Sequence, residues 1–322
     1  MTGSTHRPHR RSALLRVTTV VGAAVPLCMA GWLGWQAVSG NAPAASTAAT
    51  TTAAAVPTSA ATTTTATATP TPTPTPAQTR PEAAPPSTAP APTPSDTPTA
   101  LTGRTILLDP GHNPGNFSHP TEINRQVDIG NAHKECDTTG TETNSGYTEA
   151  DYTLDVSRRA RAILAARGAT VVLTQDGDRP WGPCIDERAK AAADAHADVA
   201  LSVHGDGGPA SGSGFHVILP AKVVAGKADN SAIVEPSHRL GLLLREQFQT
   251  ATGEPYADYT AGDGLDTRSD LGGLNLSTVP KVFIECGNMR NSADAKRMTD
   301  PQWRQKAAQG IADALTAFLT TR

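Results

Sequence analysis

Four residues in the C-terminal two-thirds of the chain have the types and settings that metal chemistry needs. His112 ends the run Leu107-Leu108-Asp109-Pro110-Gly111-His112. Glu149 follows Gly146-Tyr147-Thr148, where a helical pattern begins. His204 lies in Ala200-Leu201-Ser202-Val203-His204-Gly205-Asp206, and Glu285 in Val282-Phe283-Ile284-Glu285-Cys286-Gly287-Asn288. Two imidazoles and a carboxylate make a three-ligand zinc site with a fourth position open, and a second carboxylate can then move protons. Singly, each residue has an ordinary reading: a hydrogen-bonded loop histidine, a glutamate favouring a helix dipole, a salt-bridged core acid. Their weight depends on the elements that carry them.

Those elements alternate. The spacing predicts strands over 104–109, 170–174, 199–203, 215–219 and 281–284, and helices over 147–167, 185–196, 237–252 and 301–319. Gly168 and Gly253 stand where helix C-caps belong. Residues 113–145 read as a long loop, and Asp258–Asp270 as an acidic, Gly-rich one. Strands alternating with helices imply an α/β fold, a single three-layer α/β/α domain with a mostly parallel twisted sheet flanked by helices. Such sheets bind ligands at the carboxyl ends of their strands, where His112, His204 and Glu285 fall.

The domain so defined spans 101–322, enough for one full core. Residues 1–100 hold only five of the 27 Lys/Arg and two of the 30 Asp/Glu, which leaves the domain at about −6. That charge argues against a nucleic-acid partner. Residues 1–40 combine a basic start (Arg7, Arg10, Arg11) with an apolar run from Val17 to Val38. This reads as a signal peptide, with Ala42-Pro43-Ala44 as a cleavage site, or as an uncleaved anchor; either exports the domain. The anchor is then its only membrane contact. Residues 41–100 are almost all Ala, Thr, Pro and Ser, a linker too poor in large apolar groups to fold. In an exported domain, Cys136 and Cys184 are expected to pair, while Cys286 reads as a small buried apolar residue.

The four motifs, in this order, resemble the zinc N-acetylmuramoyl-L-alanine amidases of the amidase 3 type. The matching signatures are the Asp-x-Gly-His turn, the helix-opening Glu149, the Ser-x-His-x-Asp strand end and the stretch Ile284 to Asn291. The likeness covers about residues 104–320. It implies that His112, Glu149 and His204 bind one Zn2+ and that Glu285 is the catalytic carboxylate. It implies a peptidoglycan or muropeptide substrate, cut between N-acetylmuramic acid and the L-alanine of the stem peptide. Ala150-Asp151 departs from the Lys or Asn that often follows the helix-opening glutamate. The Cys136–Cys184 pair is similar to a subgroup of exported actinobacterial-type enzymes.

Three further roles are expected around the site. Asp206 stands behind a ligand histidine, Arg268 meets a stem-peptide carboxylate, and His133 is a reserve ligand. His119, His196, His216 and His238 read as surface or helix residues. The domain is expected to act as a monomer. The competing functions are another zinc-dependent wall peptidase or carboxypeptidase, and a catalytically silent wall-binding protein. A serine hydrolase is unsupported, since no Gly-x-Ser-x-Gly elbow occurs.

Overall fold

The computed structural model describes residues 99–321. The basic start, the apolar run with Cys28, and nearly all of the Ala/Thr/Pro-rich segment lie outside the described residues. Among those described, no helix is long and apolar enough to cross a membrane.

Six strands build the main sheet: β1 (Thr105–Pro110), β2 (Thr170–Leu173), β3 (Val199–Asp206), β4 (His216–Pro220), β5 (Leu265–Arg268) and β6 (Lys281–Asn288). Their spatial order is β2-β1-β3-β6-β4-β5. The first four in that order are parallel, β4 runs antiparallel to β6, and β5 is parallel to β4. The main helices are α1 (Glu149–Ala166), α2 (Ile185–Asp194), α3 (Val234–Thr252), α4 (Ser292–Met298) and α5 (Pro301–Thr320).

Strand periodicity assigns the two faces. Ile106, Leu108, Val199, Leu201 and Val203 point to one side and pack with Val156, Ala160 and Leu164 of α1, Leu244 of α3 and Ile311 and Leu315 of α5. Leu107 and Ala200 point to the other and pack with Ala192 of α2. The fold is thus the three-layer arrangement expected, with a thinner layer on the α2 side.

The long helices and most strands fall within a few residues of their expected places. Two features differ. Strand β5 sits in the stretch read as a loop, because Leu-Asp-Thr-Arg lacks an apolar run. The stretch 113–145 contains a small hairpin pairing Gln126–Asp128 with His133–Glu135. His204 and Glu285 also lie within their strands rather than just beyond them, since β3 and β6 each run to eight residues.

The sheet's centre holds a buried charge cluster. Asp109 receives Lys281 Nζ at 3.0 Å, Arg188 Nη1 at 3.0 Å, and the hydroxyls of Ser202 and Thr174 at 2.6 and 2.7 Å. Lys281 is fully buried. Removing one partner of a buried ion pair leaves charge uncompensated in a low-dielectric setting. We predict that Lys281→Met lowers stability by about 3–5 kcal/mol, read as a fall in the urea midpoint; an unchanged midpoint would show that Asp109 is satisfied without it.

Candidate metal centre

Parallel register brings the site together. Glu285 on β6 is the direct partner of His204 on β3. Beside them, the Gly111 amide donates to the Val203 carbonyl at 2.9 Å, which brings the turn after β1 alongside β3. A side chain at Gly111 would run into the His204 imidazole, so only glycine lets the two histidine segments approach this closely. His112 itself takes a left-handed φ of 61°, an uncommon backbone for a non-glycine residue, fixed here by surrounding contacts.

Glu149 is the first residue of α1, where the Thr148 hydroxyl accepts the Asp151 amide at 3.1 Å as N-cap. Its carboxylate lies 3.2 Å from His112 Nε2 and 2.8 Å from His204 Nδ1. It also accepts the amides of Thr141 at 2.9 Å and Gly205 at 3.2 Å. One ligand atom from each of His112, Glu149 and His204 lies within 4.8 Å of the others. Three ligands around one tetrahedral zinc at about 2.1 Å stand about 3.4 Å apart, so the three side chains fit such an ion with small adjustments. The Phe283 ring stacks flat on His204 at 5.3 Å between centroids.

The charges press on one another. Burial disfavours ionised Glu149, yet the two imidazoles overcome this and hold its carboxyl far below the usual range. Burial likewise opposes a charge on His112, but Glu149 and Asp137 raise its pKa to about 10. Glu285 is pushed well above the carboxylate range, by burial first and then by the negative charges of Glu149 and Asp206. Its Oε2 is buried without a hydrogen-bond partner. A cation at the His112–Glu149–His204 cluster would relieve this crowding.

His112, Glu149, His204, Asp206, Arg268 and Glu285 line one cleft of about 280 Å3. A second cavity of about 270 Å3 opens beside it, sharing His112, His204 and Phe283 and adding Lys134, Asp270 and Arg188. Cys136 and Cys184 form the expected disulfide. Cys286 is buried and free.

Other expectations need correction. Asp206 makes no hydrogen bond to the imidazole of His112 or His204 among the described residues; it faces Glu285 and Tyr259 instead. The carboxylate behind the His112 ring is Asp137, 3.3 Å from Nδ1. Sequence reading missed it because it sits in an apparent loop, flagged only by the adjacent Cys136. Arg268 lines the cleft, where Asp270 holds its guanidinium at 2.9 and 2.7 Å, and its expected role needs no correction. His133 is exposed on the hairpin, outside the ligand cluster. His216 is no surface residue: it is buried on β4 opposite Glu285, and burial lowers its pKa.

A parallel sheet that gathers two histidines and a glutamate close enough to hold one metal ion, with a second glutamate beside them, has the layout of a hydrolytic site. The sequence profile of the N-acetylmuramoyl-L-alanine amidase family matches residues 106–317, and the chain belongs to that family. It is 41% identical over 223 residues to the N-acetylmuramoyl-L-alanine amidase Rv3717 of Mycobacterium tuberculosis, covering 69% of this chain and 89% of that protein. The crystal structure of the amidase Ami1 from Mycobacterium smegmatis superposes with a TM-score of 0.64 at 38% identity, covering 69% of this chain and 99% of the other. The apo form of Ami1 from Mycobacterium abscessus gives 0.62 at 40% identity, covering 68% and 100%.

In the metal-free protein, the raised pKa of His112 has a stability consequence. Protonated His112 favours the fold fully below its unfolded value near 6.5, and that contribution is lost as pH rises through about 10. We predict that the melting temperature of chelator-treated protein falls over this window, while metal-loaded protein falls less. Equal slopes would refute the pairing of His112 with Glu149.

Proposed function

We propose that the protein hydrolyses the amide joining the lactyl group of N-acetylmuramic acid to the L-alanine of the peptidoglycan stem peptide. In this reading Zn2+ is held by His112, Glu149 and His204, and Glu285 transfers the protons. The carrying observation is the three-residue cluster with Glu285 across the same cleft. Two imidazole nitrogens and one carboxylate oxygen are a donor set that suits zinc. Bound there, zinc would polarise the scissile carbonyl and lower the pKa of a water to roughly 7.

The protein's own groups do the rest. Glu285 takes the proton of the attacking water and returns it to the departing nitrogen, which leaves as a free L-alanine amino terminus. Its raised pKa suits the second half of that task, the return of the proton, while a cation at the three-residue cluster would favour the ionised form that first accepts the water's proton. Asp206, by its charge, helps keep that pKa high. Arg268 offers a stem-peptide carboxylate a positive partner in exchange for Asp270. Residues 1–40 are a signal peptide or signal anchor and 41–100 a spacer, so the 101–322 domain works as an exported monomer at the cell wall.

The test uses the full chain in wild-type and Glu285→Ala forms, with zinc content assayed and a defined muramyl-peptide digest read by mass. The wild type should bind about one zinc per chain and release peptide beginning with free L-alanine. The variant should keep its zinc and lose about 10²–10⁴-fold in kcat. Cleavage at another amide would instead indicate a different wall peptidase. Zinc-free, inert wild-type protein would indicate a silent wall-binding fold.

A further inference from the structure

The buried charges at the sheet's centre continue to the metal cluster. Arg188 on α2 joins Asp109 at 3.0 Å through Nη1 to Asp137 at 2.8 Å through Nη2. The other oxygen of Asp137 lies 3.3 Å from His112 Nδ1. Asp109, Arg188, Asp137 and Lys281 are all at most 5% exposed, so water does not screen the chain of charges. Arg188 also donates to the carbonyls of Pro110 at 2.6 Å and His112 at 2.9 Å. It therefore fixes both the backbone of His112 and the carboxylate behind its ring.

The disulfide delivers both partners. Cys136 immediately precedes Asp137, and Cys184 immediately precedes the helix that carries Arg188. The Ile185 amide donates to the Cys136 carbonyl at 2.8 Å, so the two segments are also joined through backbone.

We infer that Asp137, locked by Arg188, is a positioning residue for His112. Its carboxylate, 3.3 Å away, draws the proton to Nδ1, leaves Nε2 facing Glu149 and the metal, and makes the imidazole a stronger donor. This rests on the reading that His112 is a metal ligand. A rival acceptor exists: the Thr138 carbonyl lies 3.1 Å from the same nitrogen and its hydroxyl 3.2 Å.

Two substitutions in the full chain separate these. Asp137→Asn keeps the shape but loses the charge; Asp137→Ala removes the acceptor altogether. Zinc affinity is measured by competition with a chromogenic chelator, and the cobalt(II)-loaded proteins by their d–d absorption. The alanine variant should bind zinc about 10–100-fold more weakly, the asparagine variant should lose less, and both cobalt spectra should shift. Wild-type affinity and spectra in both variants, even with lowered melting temperatures, would overturn the role and assign the histidine to Thr138. If the alanine variant does not fold, the asparagine variant decides by the same two readouts. Wild-type protein that binds neither metal would overturn the metal reading itself, a distinguishable failure.

Discussion

The ion cluster on Asp109 sets the level at which everything else in the sheet is placed. A carboxylate with essentially no exposure resists ionisation, yet Lys281 and Arg188 reverse that and hold it charged far below the usual range. Buried pairs of this kind seldom add much net stability over apolar packing, because desolvation offsets the attraction. Their strength is directional. Asp109 is the last residue but one of its strand, Lys281 begins another, Ser202 lies on the strand between, and Arg188 comes from a helix. A slip of one residue in any of these strands would leave a buried charge without its partner and turn the ligands to the wrong face.

The chemistry sits one layer above that cluster, in the direction the strands run. There Glu149, Glu285 and Asp206 converge on one cleft, and their mutual repulsion is only partly met by Arg268 and the histidines. A cleft of this sign attracts cations and has little use for a further anion near Glu285. The second cavity has a different character, with Lys134 and Asp270 paired at its rim at 2.9 Å.

Much of this was legible in the sequence where one physical rule dominated. Apolar runs ending in Gly-His or followed by His-Gly-Asp mark buried strands with polar tips, and helical spacing in 149–166 and 301–320 survives because packing on the sheet needs it. The four central residues could be picked out because their motifs occur in order on such elements. What stayed hidden depends on contacts between distant segments. Asp137 is unremarkable until Arg188, 51 residues on, is folded against it. Asp206 resembles a partner for His204 by proximity in sequence, but it lies two residues on in the same strand, near Tyr259 and Glu285 rather than on the imidazole. Strand β5 escapes because its residues are half-exposed at the sheet edge and carry no apolar run.

The scatter of the three clustered side chains along the chain has a kinetic meaning. His112 follows β1, Glu149 opens α1 and His204 lies on β3, and parallel strands such as β1 and β3 need a long crossover connection between them. No short segment holds even two of them in binding geometry. A metal ion held by these three residues would therefore not seed this fold as it does in small zinc-stapled domains. It would bind after the sheet has closed, and the time course of metal uptake during refolding would then report a late step of assembly rather than the first.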